Sequence, residues 1–255
     1  MRSLLLGLLV GFLLCQVAQV LTTVYLHRAA SHRSLSLARP LVGVLRLLTW
    51  IFTGIRPRQW VAVHRKHHAF TDVTGDPHSP VLEGFAMVQF GNVALYRRAA
   101  KDEALVTRYA RDLAPDRWDR ALFDRAWLGL GVGVVALVLC VGPAIAAVAA
   151  VSHAVMYLFL SAAVNAVGHR YGSQDHVNTS TNNQWLAWLT MGEGLHNNHH
   201  AAPTSARLSF RPGQIDPGWW VVRAFERAGW ATVRHREIKL RQTRKQPARE
   251  STPVT

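Results

Sequence analysis

Histidines 196, 199 and 200 stand at i, i+3 and i+4 within GEGLHNNHH (192–200). On a helix this spacing stacks three imidazoles along one face, about a turn apart. Histidine is a poor helix former, and crowded rings that protonate repel one another, so packing gives no reason for the pattern. A metal ion does, because each neutral ring nitrogen becomes a ligand. The same spacing recurs in HRKHH (64–68), and a further pair occupies the ends of HRAASH (27–32). Asn165 and His169 add an i, i+4 pair at the end of an apolar run. Nine of the 13 histidines thus fall in four short clusters: His27, His32, His64, His67, His68, His169, His196, His199 and His200.

A single tetrahedral zinc site needs four ligands. Nine imidazoles exceed that and suit two ions with four or five ligands each. Imidazole serves iron, copper, nickel and zinc alike, so the donor type leaves the metal open. An all-nitrogen set also differs from the Glu-x-x-His pattern of soluble di-iron bundles. Asn165 is suited to orient a metal-bound water or to hydrogen-bond a ligand, and Asp76 and Glu193 to accept ring N–H groups. His153, alone within an apolar run, is expected to hydrogen-bond to a neighbouring helix rather than to ligate.

The elements that must carry these residues are apolar. The chain has 255 residues, 49% of them hydrophobic and 17% charged, with a formal net charge of +14. Because the apolar residues come in long blocks, the basicity points to loops facing anionic lipid and not to a nucleic-acid partner. Cys15 and Cys140 both lie in such blocks and read as packing residues, not as a disulfide.

Residues 4–26 carry no charge and suffice for one crossing; no small-x-small site follows, so the segment is read as an uncleaved anchor. Residues 126–142 and 144–167 suffice for two more, reversing at Gly142-Pro143, with Gly129, Gly131 and Gly133 allowing close helix contact. Residues 41–55 are too short to span, and Arg46 interrupts them. They are expected to lie at the interface with Arg46 snorkelling, as a crossing there would part the first two histidine clusters. Pro57 suits the first turn of a helix bearing Trp60 and the second cluster, and Asp216 and Pro217 the N-cap and first turn of a later one. Residues 185–195 are expected to rest on the membrane face.

Of the 29 Lys and Arg residues, 16 lie in 27–125 and 12 in 170–255, with only Arg2 outside. The positive-inside tendency puts both regions, and all four clusters, in the cytoplasm. The expected architecture is an all-α integral membrane protein of about three spans, with interfacial helices and a cytoplasmic helical cap holding a poly-histidine dimetal site. Residues 1–239 form this unit, and 240–255 read as a basic, disordered tail. The membrane is expected to be the cell inner membrane.

The segments HRAASHRS (27–34), HRKHH (64–68), NAVGH (165–169) and GEGLHNNHH (192–200) closely resemble those of membrane-bound fatty acid desaturases of the acyl-CoA desaturase type. Trp60 before the second cluster, the DPH turn (76–78), PTSAR (203–207) and the DPGWW helix start share the resemblance, which runs from about residue 21 to 231. It implies a mushroom-like helical fold, two non-haem iron ions held by the nine histidines, and a water held by Asn165. It also implies oxygen-dependent removal of two hydrogens from adjacent methylenes of a fatty acyl chain, giving a cis double bond and two waters. Electrons would come from a separate donor, such as a ferredoxin or rubredoxin with its reductase.

Two departures stand out. Animal members have a span before the one that ends in the first histidine cluster; beginning with the later span puts the N-terminus outside and leaves room for a partner subunit. Ala62-Val63 replaces the Arg-Asp that contacts coenzyme A in those relatives, while Arg97 and Arg98 match a basic pair there that contacts the nucleotide. Trp60, Arg97 and Arg98 are therefore the candidate substrate contacts, and the acyl carrier could be coenzyme A, acyl-carrier protein or a phospholipid. Two alternatives stand beside desaturation: a fatty acid or isoprenoid hydroxylase with the same metal chemistry, and a membrane metal carrier or lipid-binding protein. A carrier would be expected to hold its ligands near the midplane between repeats.

Overall fold

The computed structural model describes residues 1–235 and 238–240. It is mostly helical, and the tail expected over 240–255 lies, apart from residue 240, outside the described residues. Two helices are long and apolar enough to cross a membrane: α1 (Arg2–Ser31) and α7 (Pro143–Ala166). Helix α6 (Ala126–Val141), expected as a crossing, has 16 residues and is shorter.

Helix α1 changes its winding along its length. Arg2–Val20 is α-helical, and Leu21–Ser31 is π-helical and closes with His32 N–H donating to the His27 carbonyl five residues back. In such a segment the backbone hydrogen bond spans five residues and the wider turn brings residues five apart toward one face. Arg28 Nε accordingly donates to Thr23 Oγ1 at 3.2 Å, and the His27 and His32 rings lie 4.8 Å apart.

Helices α1 and α7 run side by side in the same direction, with Gly7 against Val148, Gly11 against Ser152 and Thr22 Oγ1 2.7 Å from the Tyr157 hydroxyl. A Cβ on Gly7 would fall 2.6 Å from Val148 Cβ, so the approach requires glycine. Their C-terminal ends therefore emerge together, and that is the end where the histidines gather.

Helix α2 (Arg39–Thr53) packs on α6, where Gly129 lets Trp50 sit directly against its backbone; Gly133 meets Ile51 and Gly131 faces open space. Gly54, at φ +63°, ends α2 in a left-handed turn that ordinary side chains resist. Helix α3 (Pro57–Phe70) then starts with Pro57 in its first turn, as the sequence predicts. Arg46 does not snorkel freely: it pairs with Asp116 and Asp119 and lies 4.2 Å over the Phe123 ring. The partners are 70 residues or more away in sequence, so nothing local announces them.

Beyond lie α4 (Phe85–Ala100), α5 (Glu103–Tyr109), α8 (Gln184–Leu189), α9 (His196–Ala201) and α10 (Pro217–Arg227). Asp216 caps α10 by accepting from the Trp219 N–H at 3.0 Å. The all-α expectation needs one correction. β1 (Leu35–Leu37) and β2 (Ala231–Val233) pair antiparallel, with Leu35 opposite Val233, and tie the segment after the first cluster to the far end of the described chain. Three-residue strands are too brief to leave an alternation in the sequence.

Candidate metal centre

All nine predicted histidines converge. They form two groups: His27, His32, His64, His68 and His199 in one, and His67, His169, His196 and His200 in the other. Each triad is shared. His64 and His68, one turn apart on α3, enter the five-histidine group while His67 enters the other; His196 and His200 on α9 join the four-histidine group while His199 crosses. The one-face expectation is thus corrected: the i and i+4 rings stay together and the i+3 ring serves the neighbouring group.

The donor geometry fits metal ions. Nε2 atoms approach at 2.8 Å (His32–His64 and His68–His199) and 3.0 Å (His27–His199) in the first group. In the second they approach at 3.1 Å (His169–His196 and His196–His200) and 3.4 Å (His67–His200). Two nitrogens bound at ~2.1 Å to one ion stand about 3.0 Å apart at a right angle and about 3.4 Å at the tetrahedral angle. A lone pair of rings could share an N–H···N bond, but His199 Nε2 meets both His27 and His68 and His196 Nε2 both His169 and His200, a convergence that a common ion accounts for.

Carboxylates hold the opposite ring nitrogen. His27 Nδ1–H donates to Glu193 Oε1 at 2.8 Å, His67 Nδ1–H to Asp76 at 3.0 Å, and His169 Nδ1–H to Asp72 Oδ2 at 2.7 Å. Each such bond fixes the tautomer that leaves Nε2 as the donor to a metal. Asp76 and Glu193 were legible in the sequence. Asp72 was missed, although its place four residues before Asp76 and directly after a histidine cluster was a usable signal. Thr23, whose hydroxyl donates to Glu193, was hidden in an apolar span.

Burial, reinforced by neighbouring imidazoles, lowers the pKa of His32, His64, His68, His196, His199 and His200 well below the usual histidine value. His169 is also lowered by burial, against the pull of Asp72. Neutral rings are the state that binds metal. For Asp72, Asp76 and Glu193 burial would raise the carboxyl pKa, but the bonded histidines outweigh it and hold all three low. The carboxylates therefore remain charged acceptors.

A cavity of about 550 Å³ adjoins both groups, touching His27 and His64 of one and His196 of the other. Asn165, Glu193 and Trp60 line it, and the Trp60 ring stacks on His64 with centroids 4.9 Å apart. Arg56, Arg97 and Lys101 line it as well, but Arg98 does not; Arg98 pairs with Glu83, because on α4 consecutive residues point different ways. His78, expected only as part of a turn, also lines the cavity, with its ring 4.7 Å from that of His67. His153 stands apart, its Nε2–H donating to the Phe52 carbonyl at 2.8 Å.

The family model for fatty acid desaturases matches residues 3–234, nearly the whole chain. The chain belongs to the fatty acid desaturase family. This desaturase is 37% identical over 219 residues to an acyl-CoA 5-desaturase of Anemone leveillei, covering 83% of the chain and 66% of the relative. It is 34% identical to the Delta-9 desaturase-like 5 protein of Arabidopsis thaliana, covering 90% of the chain and 76% of that protein. It is also 29% identical to the sn-1 stearoyl-lipid 9-desaturase of Synechocystis sp., covering 86% and 67%. The chain thus spans about two thirds to three quarters of these relatives' lengths. Of the readings the sequence leaves open, the family supports the oxidoreductase of fatty acyl chains. The two long apolar helices agree with a membrane-associated desaturase.

Proposed function

We propose that the protein introduces a cis double bond into a saturated acyl chain at a pair of non-haem iron ions, with oxygen as the terminal acceptor. The observation that carries this reading is one cavity lined by both histidine groups. His27, His32, His64, His68 and His199 would hold one iron, and His67, His169, His196 and His200 the other. The oxidising power needed against unactivated methylenes is supplied by that iron pair with oxygen. The chain's own residues do the rest. Glu193, Asp76 and Asp72 keep the rings oriented, Asn165 presents its amide to a water beside the four-histidine group, and Trp60 forms a flat wall beside His64. The cavity would hold the acyl chain extended past both groups.

Arg56, Arg97 and Lys101 give one part of the cavity lining a positive charge suited to phosphate. Coenzyme A, acyl-carrier protein and phospholipid all carry phosphate in the group that bears the acyl chain, and the relatives are named for both acyl-CoA and acyl-lipid substrates. The protein would sit in the cell inner membrane with α1, α6 and α7 crossing, α2 and α8 at the interface and the metal centre facing the cytoplasm. The described unit would end near residue 239. Electrons would come from a separate carrier protein.

The test is expression in a host lacking the activity, with double bonds located in the extracted lipids. A new mono-unsaturated acyl product supports the reading. A purified sample with two irons per chain, a working reductant and no product over a panel of acyl thioesters and phospholipids would overturn it. Gain of one oxygen in place of loss of two hydrogens would make it a hydroxylase.

A further inference from the structure

The two histidine groups differ in their exposure. All four rings of the smaller group are buried, whereas His32, His64 and His68 of the larger are half-buried. His64 faces the cavity, but His32 and His68 do not line it. Their accessible edges therefore lie toward another surface.

Their chain neighbours Arg33 and Ala69 line a basic surface. A second depression, of about 590 Å³, is lined by Arg33, Arg65, Arg108, Arg111 and Asp112. Arg33 follows His32 and Arg65 follows His64 in the chain, so its wall is one peptide unit from two histidines of the larger group. Four guanidinium groups against one carboxylate leave three net positive charges. Asp112 is already engaged by Arg33 and Arg65, and Arg65 also donates to the carbonyls of Ala30 and Ser31 at the end of the π-helical segment. Among the described residues neither Arg108 nor Arg111 has a carboxylate partner, and both are exposed. Arg108 lies over the Tyr109 ring at 5.6 Å, a contact that leaves its charge uncompensated, and exposed cations without a carboxylate partner can meet an acidic surface.

We propose that this depression is the docking surface for an acidic one-electron carrier protein, and that electrons reach the metal centre through the five-histidine side. The proposal rests on the desaturase reading. That reaction joins an acyl –CH2–CH2– unit, O2, two electrons and two protons to give –CH=CH– and two waters. With a one-electron carrier as the donor, two molecules of reduced carrier, each oxidised by one electron, dock per double bond. Carboxylates on the carrier would pair with Arg108 and Arg111. Its redox centre would then lie beside His32 and His68, the half-buried rings of the larger group that do not line the acyl cavity.

The experiment uses the full iron-loaded chain in lipid nanodiscs, with a plant-type [2Fe–2S] ferredoxin as the probe. Binding is measured at low and high salt for the wild type, for the R108E/R111E double variant, and for R207E/R227E. The last makes the same charge change at exposed positions that do not line the depression. Wild-type binding should weaken with salt, R108E/R111E should weaken it at least about tenfold, and R207E/R227E should leave it within about twofold. Turnover driven by a small chemical reductant should be unchanged in R108E/R111E, while the KM for ferredoxin rises. No ferredoxin binding by the wild type, equal binding by R108E/R111E, or an equal loss in R207E/R227E overturns the proposal. So does a loss confined to phosphatidylglycerol vesicle binding, which would make the patch a lipid contact. Failure of the desaturase reading would look different: no double bond with any reductant, whatever the binding shows.

Discussion

His67 and His68 are neighbours in the chain and belong to different metal groups. His67 Nε2 lies 3.4 Å from that of His200, and His68 Nε2 2.8 Å from that of His199. Successive residues on a helix point about 100° apart, so a helix wedged between two ions can supply both. Helix α9 is wedged in the same way from the other side, which makes α3 and α9 the two halves of one clamp.

This division predicts separable losses. H68A should lower the affinity of the five-histidine group and H67A that of the four-histidine group. Each variant should fall from about two to about one tightly held iron per chain, with desaturation abolished and helical content retained. Metal analysis with Mössbauer spectroscopy distinguishes the two remaining irons. Identical spectra from both variants would contradict the shared-triad geometry.

Asp72 should matter as much as the residues legible in the sequence. D72N leaves a hydrogen-bonding group but removes the charge that holds His169 Nδ1–H and fixes its tautomer. Metal affinity should fall about 10- to 100-fold, as for other carboxylates that orient metal-binding histidines, and E193Q should act similarly through His27. Competition with a chromophoric chelator measures both.

Arg28 and Asp216 form an ion pair with side chains 1% and 0% exposed. Arg28 also donates to the Ala206 carbonyl, and Asp216 accepts the Leu208 N–H, so the pair ties the π-helical segment to the loop after the fourth cluster. Removing one partner leaves the other charged and buried, at a cost of about 3–5 kcal/mol. R28M should therefore lower the unfolding temperature in detergent more than loss of any exposed ion pair. A variant as stable as the wild type would count against this role.

Stripping the metal should also destabilise the fold. Nine imidazoles bring their nitrogens together in two groups that a metal ion would hold, and a ligand at 100 times its Kd contributes about 2.7 kcal/mol. Prolonged chelation should lower the unfolding temperature and speed proteolysis of the 27–34 and 192–200 segments. Re-addition of Fe2+ should reverse both. The H67A/H68A/H199A variant should show no further change on chelation.

Residue type and local spacing alone located all nine histidines, the two long apolar helices, Pro57 and Asp216 at helix starts, and His153 as a non-ligand. These features depend on neighbours within a turn or two, or on a run of apolar residues long enough for a bilayer. Tertiary structure decided how the rings divide between two groups, because the partner of each lies as far as 172 residues away. It also decided that residues 21–31 wind as a π-helix, so that a pair five apart, awkward on an α-helix, faces one pocket. Asp72, Thr23, His78 and the Arg28–Asp216 tie gained their roles only when packing brought distant segments together and excluded water. A buried carboxylate and a solvated one share the same letter in the sequence, and only the fold sets the dielectric around them.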